Sequence, residues 1–171
     1  MREGIMAAMT YGAGARMMRL LHYAAEPLGE IRDAAEQPPA HFKPVGLWVS
    51  VEGPDDWPSW CKGEDFGLER LRYAHEIGLR SEAKILHLKN ARDIDSMSRY
   101  RTRNPAYAGL SYHSLDWRPV AEEYDGIIIA PYNWSRRLHQ QTAWYYAWDC
   151  ASGCIWRSRA VERVTLLADA A

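Results

Sequence analysis

A strand that turns directly into a helix is the strongest constraint on this fold, and it lies in residues 43–61 (KPVGLWVSVEGPDDWPSWC). Residues 46–51 are a β-branched and aromatic run between a proline and the turn formed by Glu, Gly and Pro, which predicts a strand. Asp55 or Asp56 can then cap a helix, and Pro58 falls in its first turn. This combination predicts a helix start directly after the turn.

The predicted strand carries two different faces. Alternation places Trp48 and Ser50 on one face and Leu47 and Val49 on the other. An aromatic ring beside a small polar residue is suited to a flat ligand. A core strand with a buried tryptophan is the simpler interpretation, and the pattern alone favours it.

Length and charge limit the class of protein. The chain has 171 residues and a net charge of −1. We therefore expect one domain over residues 1–171, with residues 1–15 as a loosely ordered lead-in, and no global field toward nucleic acid or membrane. Neither a bilayer-spanning run nor a signal peptide is found, and the three cysteines fit reduced thiols, so we expect a cytoplasmic protein without a membrane partner.

The remaining pattern predicts an α+β fold. Residues 127–130 are apolar on both faces, which predicts a central strand. Residues 154–156 and 161–167 are expected to be closing strands, with a turn or bulge at Ser152 and Gly153. Short helices in the first two-thirds of the chain complete this α+β pattern.

Two titratable residues are candidates for chemistry. His22 lies in an apolar run, where a histidine is either a satisfied core or groove residue or a catalytic group. Asp149 lies between Trp148 and Cys150. It is therefore either a desolvated carboxylate with a raised pKa or a surface aspartate on an alternating strand. One loose cysteine pair, Cys150 and Cys154, is too little for a zinc site.

Arginines form a second group of candidates. Arg99, Arg101 and Arg103 are close in sequence, and Arg136 and Arg137 form a further pair. Guanidinium groups are suited to bidentate contact with phosphate, so the group is a candidate nucleic-acid surface. A solvated helix end is the alternative, and it is slightly favoured.

Three short motifs, taken in order, resemble ADP-ribosyltransferase-like domains. Residues 20–24 (LLHYA) and 46–50 (GLWVS), the latter running into a helix, resemble the front half of these domains. Residues 124–128 (YDGII) and the closing strands resemble the back half of phage-encoded members. The resemblance covers residues 18–167 and implies a single domain with a split, mostly antiparallel β-sheet and short helices.

The resemblance also implies site residues and a co-substrate. NAD would be the co-substrate, with His22 orienting its ribose and Trp48 stacking on its nicotinamide. Tyr23 and Ser50 would complete the cofactor-binding set. The family aromatic is usually Tyr, and its catalytic Glu begins the strand expected at 152–156, where this chain has no Glu. Asp149 is the nearest carboxylate and takes the catalytic position.

Two functions follow from this resemblance. The first is a phage-encoded NAD-dependent mono-ADP-ribosyltransferase that modifies a host macromolecule in the host cytoplasm. Arg19 is then an alternative first-motif residue, since one branch of the family uses Arg there. The second is a non-catalytic phage or mobile-element protein that binds a protein or nucleic acid through an aromatic and arginine-lined groove.

Overall fold

The computed structural model describes residues 18–105 and 112–167; the predicted lead-in, residues 1–15, lies outside the described residues. Nine strands are present in the described part of the chain: β1 (Leu20–Ala24), β2 (Leu47–Val51), β3 (Tyr73–Leu79), β4 (Ile85–Leu88), β5 (Arg101–Thr102), β6 (Ser114–Leu115), β7 (Gly126–Ile129), β8 (Ser152–Ile155) and β9 (Val161–Leu166). Seven of them form one sheet in the order β4-β7-β8-β2-β1-β3-β9, and β5 pairs with β6.

The helices are short, as the sequence predicts. They are α1 (Trp57–Glu64), α2 (Ala91–Ser96), α3 (Arg118–Glu123) and α4 (Trp134–Arg137), with 3₁₀ turns at Leu68–Leu71, Met97–Tyr100, Gln140–Ala147 and Ser158–Ala160. Within the described residues, β4 and β7 are the one parallel pair of the large sheet. The described residues therefore form a single domain of mixed α and β content with a mostly antiparallel sheet. None of the helices in this part of the chain is long and apolar enough to cross a membrane.

The predicted strand-turn-helix unit is confirmed. Asp56 caps α1, since its carboxylate accepts a hydrogen bond from the Ser59 amide at 2.9 Å. Pro58 lies in the first turn, where its missing N–H leaves no helical hydrogen bond unmade. Local capping chemistry thus positions α1 directly after β2.

The strand predicted over residues 127–130 is present as β7 and is buried, but it lies next to the edge strand β4 and not at the centre of the sheet. All four residues of β7 are buried, and the strand lies between β4 and β8. Helices and aromatic side chains cover this end of the sheet, and the largest fully buried side chains there are Trp117, Trp144, Trp148 and Tyr145. The hydrophobic core extends from this end of the sheet to buried side chains of β1, β2 and β3.

The prediction of a turn or bulge at Ser152 and Gly153 is wrong. Both residues lie inside β8, and Gly153 pairs with Val49 on one side and Ile128 on the other. A Cβ on Gly153 would lie 2.5 Å from the Ile127 carbonyl oxygen. The glycine therefore permits close approach of β7, and its presence does not interrupt the strand.

The sheet opens between β1 and β2. Their pairing covers two positions, Leu20 with Val51 and Leu21 with Ser50. Beyond these positions β1 continues along β3 and β2 continues along β8. Next to the last pair, the His22 side chain is hydrogen-bonded to the Trp48 carbonyl oxygen. The two strands are therefore held by different neighbours, and the space between them is free for a site.

Candidate functional site

A cavity of about 310 Å³ lies at this opening of the sheet. β1 and β2 form its floor, α1 contributes one wall, and the segment before β8 contributes another. Its lining consists of Leu21, His22, Tyr23, Lys43, Trp48, Val49, Ser50, Trp57, Arg70, Asp149, Cys150 and Ser152.

All five predicted site residues line this one cavity. They come from three stretches that are far apart in the sequence: His22 and Tyr23, Trp48 and Ser50, and Asp149. Their convergence was expected from the resemblance alone, since no spacing rule connects residue 22 with residue 149. The structure thus brings the candidates together, while their roles stay predictions.

His22, a residue of the cavity lining, has one ring nitrogen that can accept a hydrogen bond. Its Nδ1 lies 2.8 Å from the Trp48 carbonyl oxygen, and because a carbonyl can only accept, Nδ1 carries the proton. Burial lowers the pKa of His22, so the ring is neutral at physiological pH. Nε2 therefore carries a lone pair that can accept a hydrogen bond from a ligand hydroxyl.

Trp48 is neither wholly a core residue nor wholly free. Its ring packs against Trp148 with centroids 4.9 Å apart, so the core supports it from behind. Lys43 places its Nζ 5.1 Å from the ring centroid, a cation–π contact. The indole thus forms a rigid aromatic wall of the cavity.

Ser50 has a structural partner as well as a place in the lining. Its Oγ accepts a hydrogen bond from the Trp57 amide at 2.9 Å, at the first residue of α1. The buried hydroxyl satisfies one of the amides that a helix start leaves without a partner. Ser50 therefore positions α1, and with it Trp57, against the cavity.

Asp149 is half-buried and lies among cations. It precedes β8 in an irregular segment, so the alternative of a surface aspartate on an alternating strand is wrong. Its carboxylate lies 3.9 Å from Lys43 Nζ and 3.8 Å from Arg137 Nη2. Burial raises the pKa of Asp149, and the two cations partly offset that effect.

Three further lining residues carry chemistry that the sequence analysis did not assign. Lys43 and Arg70 add positive charge to the cavity, and Trp57 adds a second indole. Trp57 stacks on Trp60 with centroids 5.0 Å apart and an interplanar angle of 17°. Trp57 directly follows the N-cap of the predicted helix, and this position next to the predicted strand was the one sequence feature that could have indicated a place in the site. Arg70 offered no local signal.

The alternative first-motif residue lies elsewhere. Arg19 is absent from the cavity lining and contacts Glu52 at 3.0 Å and Glu76 at 3.3 Å. Within the described residues, the Arg19 guanidinium is therefore engaged in these two ion pairs. His22 is therefore the first-motif residue that the cavity contains.

The candidate arginine surface is divided among protein partners. Arg136 makes two hydrogen bonds to Asp95, at 2.7 and 2.8 Å, and Arg101 donates to the Gln141 carbonyl oxygen at 2.6 Å. Arg99 lies over the Tyr100 ring, 4.7 Å from its centroid. Three of the five candidate arginines are thus engaged with groups of the protein itself.

The cysteines are not available as nucleophiles at neutral pH. Cys61, Cys150 and Cys154 are free and buried. Burial raises the pKa of Cys150 to about 12, and it also raises the pKa of Cys154 and Cys61. A protonated thiol is a weak nucleophile, so Cys150 contributes shape to the cavity. Among residues 18–105 and 112–167, no group of three or more potential ligands is placed to hold a metal.

Comparison with protein-family models, with curated protein sequences and with solved structures finds no match to this chain.

Proposed function

We propose that the chain is an NAD-consuming mono-ADP-ribosyltransferase-like enzyme, and that the cavity between β1 and β2 is its active site. The observation that carries the proposal is the convergence of His22, Tyr23, Trp48, Ser50 and Asp149 on one cavity. The resemblance in sequence order selects these residues without reference to their positions in space. A fold in which they lay apart would have removed the basis for the proposal.

The residues of the cavity fit the chemistry of a dinucleotide. Trp48 and Trp57 offer two indole faces for two flat rings. Lys43 and Arg70 supply positive charge for a diphosphate, and the His22 Nε2 lone pair accepts from a ribose hydroxyl. Among the described residues of the lining, Asp149 is the one carboxylate, and it suits a cationic ring or a developing positive charge.

NAD supplies a ribose whose leaving group, nicotinamide, is already cationic. Asp149 stabilises the positive charge that develops at ribose C1′ as its bond to nicotinamide breaks, with the electron pair going to the nicotinamide nitrogen. His22 and Trp48 hold the ribose and the leaving ring in the orientation this cleavage needs.

Asp149 also serves the acceptor. A nitrogen or oxygen of the acceptor forms the new bond to C1′, and Asp149 takes the proton that the acceptor loses. The raised pKa of the carboxylate strengthens it as a base, because its proton affinity is higher than that of an exposed aspartate. Lys43 and Arg137, at 3.9 and 3.8 Å, keep the carboxylate oriented.

The test is nicotinamide release from NAD by the purified protein, with and without bacterial lysate. We expect Asp149→Asn to lower the rate by roughly a hundredfold or more, the usual contribution of a positioned acid–base group. Asp116→Asn is the matched control, because Asp116 pairs with Arg118 outside the cavity lining. Thermal unfolding of each variant checks that the fold is retained.

A wild-type protein that neither releases nicotinamide nor melts at a higher temperature with NAD would overturn the proposal. Equal rates for Asp149→Asn and wild type would exclude the assigned role of Asp149. The first result would favour the alternative of a non-catalytic binding protein, and the next experiment would then be a pull-down of its partner.

A further inference from the structure

A second groove lies close to the proposed active site. It has a volume of about 270 Å³, and its lining consists of Phe42, Tyr112, Arg137, Leu138, His139, Gln140, Ala143 and Tyr146. We call it the aromatic groove. It lies mainly on α4 and the 3₁₀ turn Gln140–Ala147, the elements that lead into Asp149.

The aromatic groove exposes large side chains, two tyrosines and a leucine. Tyr146 is 58% exposed, Tyr112 is 50% exposed and Leu138 is 81% exposed. Scattered apolar side chains on a surface are normal, but these lie together around one groove. A contiguous apolar patch of this kind is typical of an interaction site.

The charges of the groove are cationic or neutral. Arg137 and His139 line it, and none of the described lining residues is acidic. The Arg137 guanidinium carbon lies 5.8 Å from the Tyr146 ring centroid and 5.7 Å from that of Trp134. Aromatic faces combined with a guanidinium are typical of sites that stack bases and contact the backbone of single strands.

Arg137 joins the groove to the proposed active site. It lines the groove, and its Nη2 lies 3.8 Å from an Asp149 carboxylate oxygen. A group held on the Tyr146 ring would therefore lie next to the side chain that bridges to Asp149. This continuity is what an acceptor site requires, since the acceptor must reach the same carboxylate.

We infer that the aromatic groove binds a single-stranded nucleic acid, which is the acceptor of the proposed transferase. That the nucleic acid is the acceptor rests on the proposed function. That it binds in the aromatic groove does not. A base stacks on Tyr146 while Arg137 and His139 face the anionic backbone. A duplex is disfavoured because its bases are already stacked on one another and their faces are covered.

The transfer step balances with a base as acceptor. A base nitrogen that bears a hydrogen forms the bond to ribose C1′ as the bond from C1′ to nicotinamide breaks. The electron pair of the broken bond stays on nicotinamide, and the base proton passes to Asp149. No oxidant, reductant or metal is needed.

Fluorescence anisotropy with a labelled mixed-sequence 12-mer tests the inference in the absence of NAD. Single-stranded DNA and RNA, the matched duplex and poly-glutamate are compared over a range of salt concentrations. We expect single strands to bind most tightly and binding to weaken with salt, since phosphate contacts release counterions. Tyr146→Ala should weaken binding roughly tenfold, as loss of one base–aromatic stack does.

Tyr146→Phe is the matched control, because it keeps the ring and loses only the hydroxyl. It should bind as the wild type does, and Tm should stay within a few degrees in both variants because Tyr146 is exposed. Equal binding by Tyr146→Ala and Tyr146→Phe would overturn the inference. Equal binding of single strand and duplex, or of poly-glutamate and single strand, would do the same.

The two proposals fail separately. Nicotinamide release without single-strand binding overturns the acceptor site and leaves the enzyme. Single-strand binding without nicotinamide release overturns the enzyme and leaves a nucleic-acid-binding protein. Transfer of ADP-ribose to the 12-mer, seen as a mass increase that needs both NAD and Asp149, would support both proposals together.

Discussion

Two sets of tryptophans in this molecule do different work, although nothing in the residue type separates them. Trp144 and Trp148 are 1% and 0% exposed and pack edge to face, with ring centroids 6.3 Å apart. Trp48 and Trp57 line the cavity and are only partly buried. The first pair fills the hydrophobic core, while the second pair forms part of the cavity lining.

Trp148 connects the two sets. Its ring contacts Trp144 in the core and Trp48 in the cavity, the latter with centroids 4.9 Å apart. Its Nε1 donates to the Phe42 carbonyl oxygen at 3.3 Å, so its polar edge is satisfied within the protein. A close-packed ring behind Trp48 limits the rotamers of Trp48, so the core sets the geometry of the cavity wall.

The largest effect should come from the core set. Trp144→Ala removes a fully buried ring and leaves a cavity, so we expect a loss of about 3–5 kcal/mol of the free energy of unfolding. Denaturant unfolding followed by circular dichroism measures it. Trp134→Ala is the same-residue control, since Trp134 is 59% exposed and its loss should cost less than about 1 kcal/mol. Similar losses for the two variants would contradict the division into two sets.

An intermediate effect is expected at the cavity wall. Trp48→Ala should lower kcat/KM for nicotinamide release by about tenfold, because a stacked aromatic pair contributes about 0.5–1.5 kcal/mol. Trp48→Phe retains a ring and should retain most of the rate. Steady-state kinetics of both variants give the measurement, with circular dichroism as the check on the fold. An unchanged rate in Trp48→Ala would place Trp48 with the structural tryptophans.

The smallest effect concerns how well the cavity excludes water from His22. Burial lowers the pKa of His22 in the folded state below its ordinary value of about 6.5. The unfolded chain therefore binds this proton first, so the stabilisation present above about pH 6.5 is lost as pH falls through the lowered pKa. His22→Gln should show a smaller fall in Tm between pH 8 and pH 5.5 than the wild type does. Parallel curves would mean that His22 is hydrated in the folded state.

Much of the local structure could be predicted because its signals are local. The cap at Asp56 and the proline at Pro58 act within one helical turn, and the apolar run at 127–130 reports burial on both faces. The bulge expected at Ser152 and Gly153 was wrong for a non-local reason. In a sequence, a glycine indicates conformational freedom. Gly153 instead leaves room for the backbone of β7, which comes from a different part of the chain.

The candidate site could be predicted only in part. The order of short motifs along the chain can be seen without knowledge of the fold. It singled out His22, Trp48 and Asp149 as candidates. Arg70 and Lys43 could not be assigned to the site from the sequence. The local sequence does not distinguish a cationic residue beside a cavity from one that faces solvent. The aromatic groove was equally hidden, since Tyr112 and Tyr146 meet only after folding.

By itself, the sequence determined the strand-turn-helix unit, the strand that is buried on both faces and the residues worth testing. Hydrophobic periodicity and helix capping are properties of neighbouring residues, so no tertiary contact is needed to see them. The tertiary structure alone decided that β1 and β2 separate after two paired positions and that Asp149 turns into the space between them. Strand register and the desolvation of a carboxylate depend on residues distant in the chain, and only the packed fold brings those residues together.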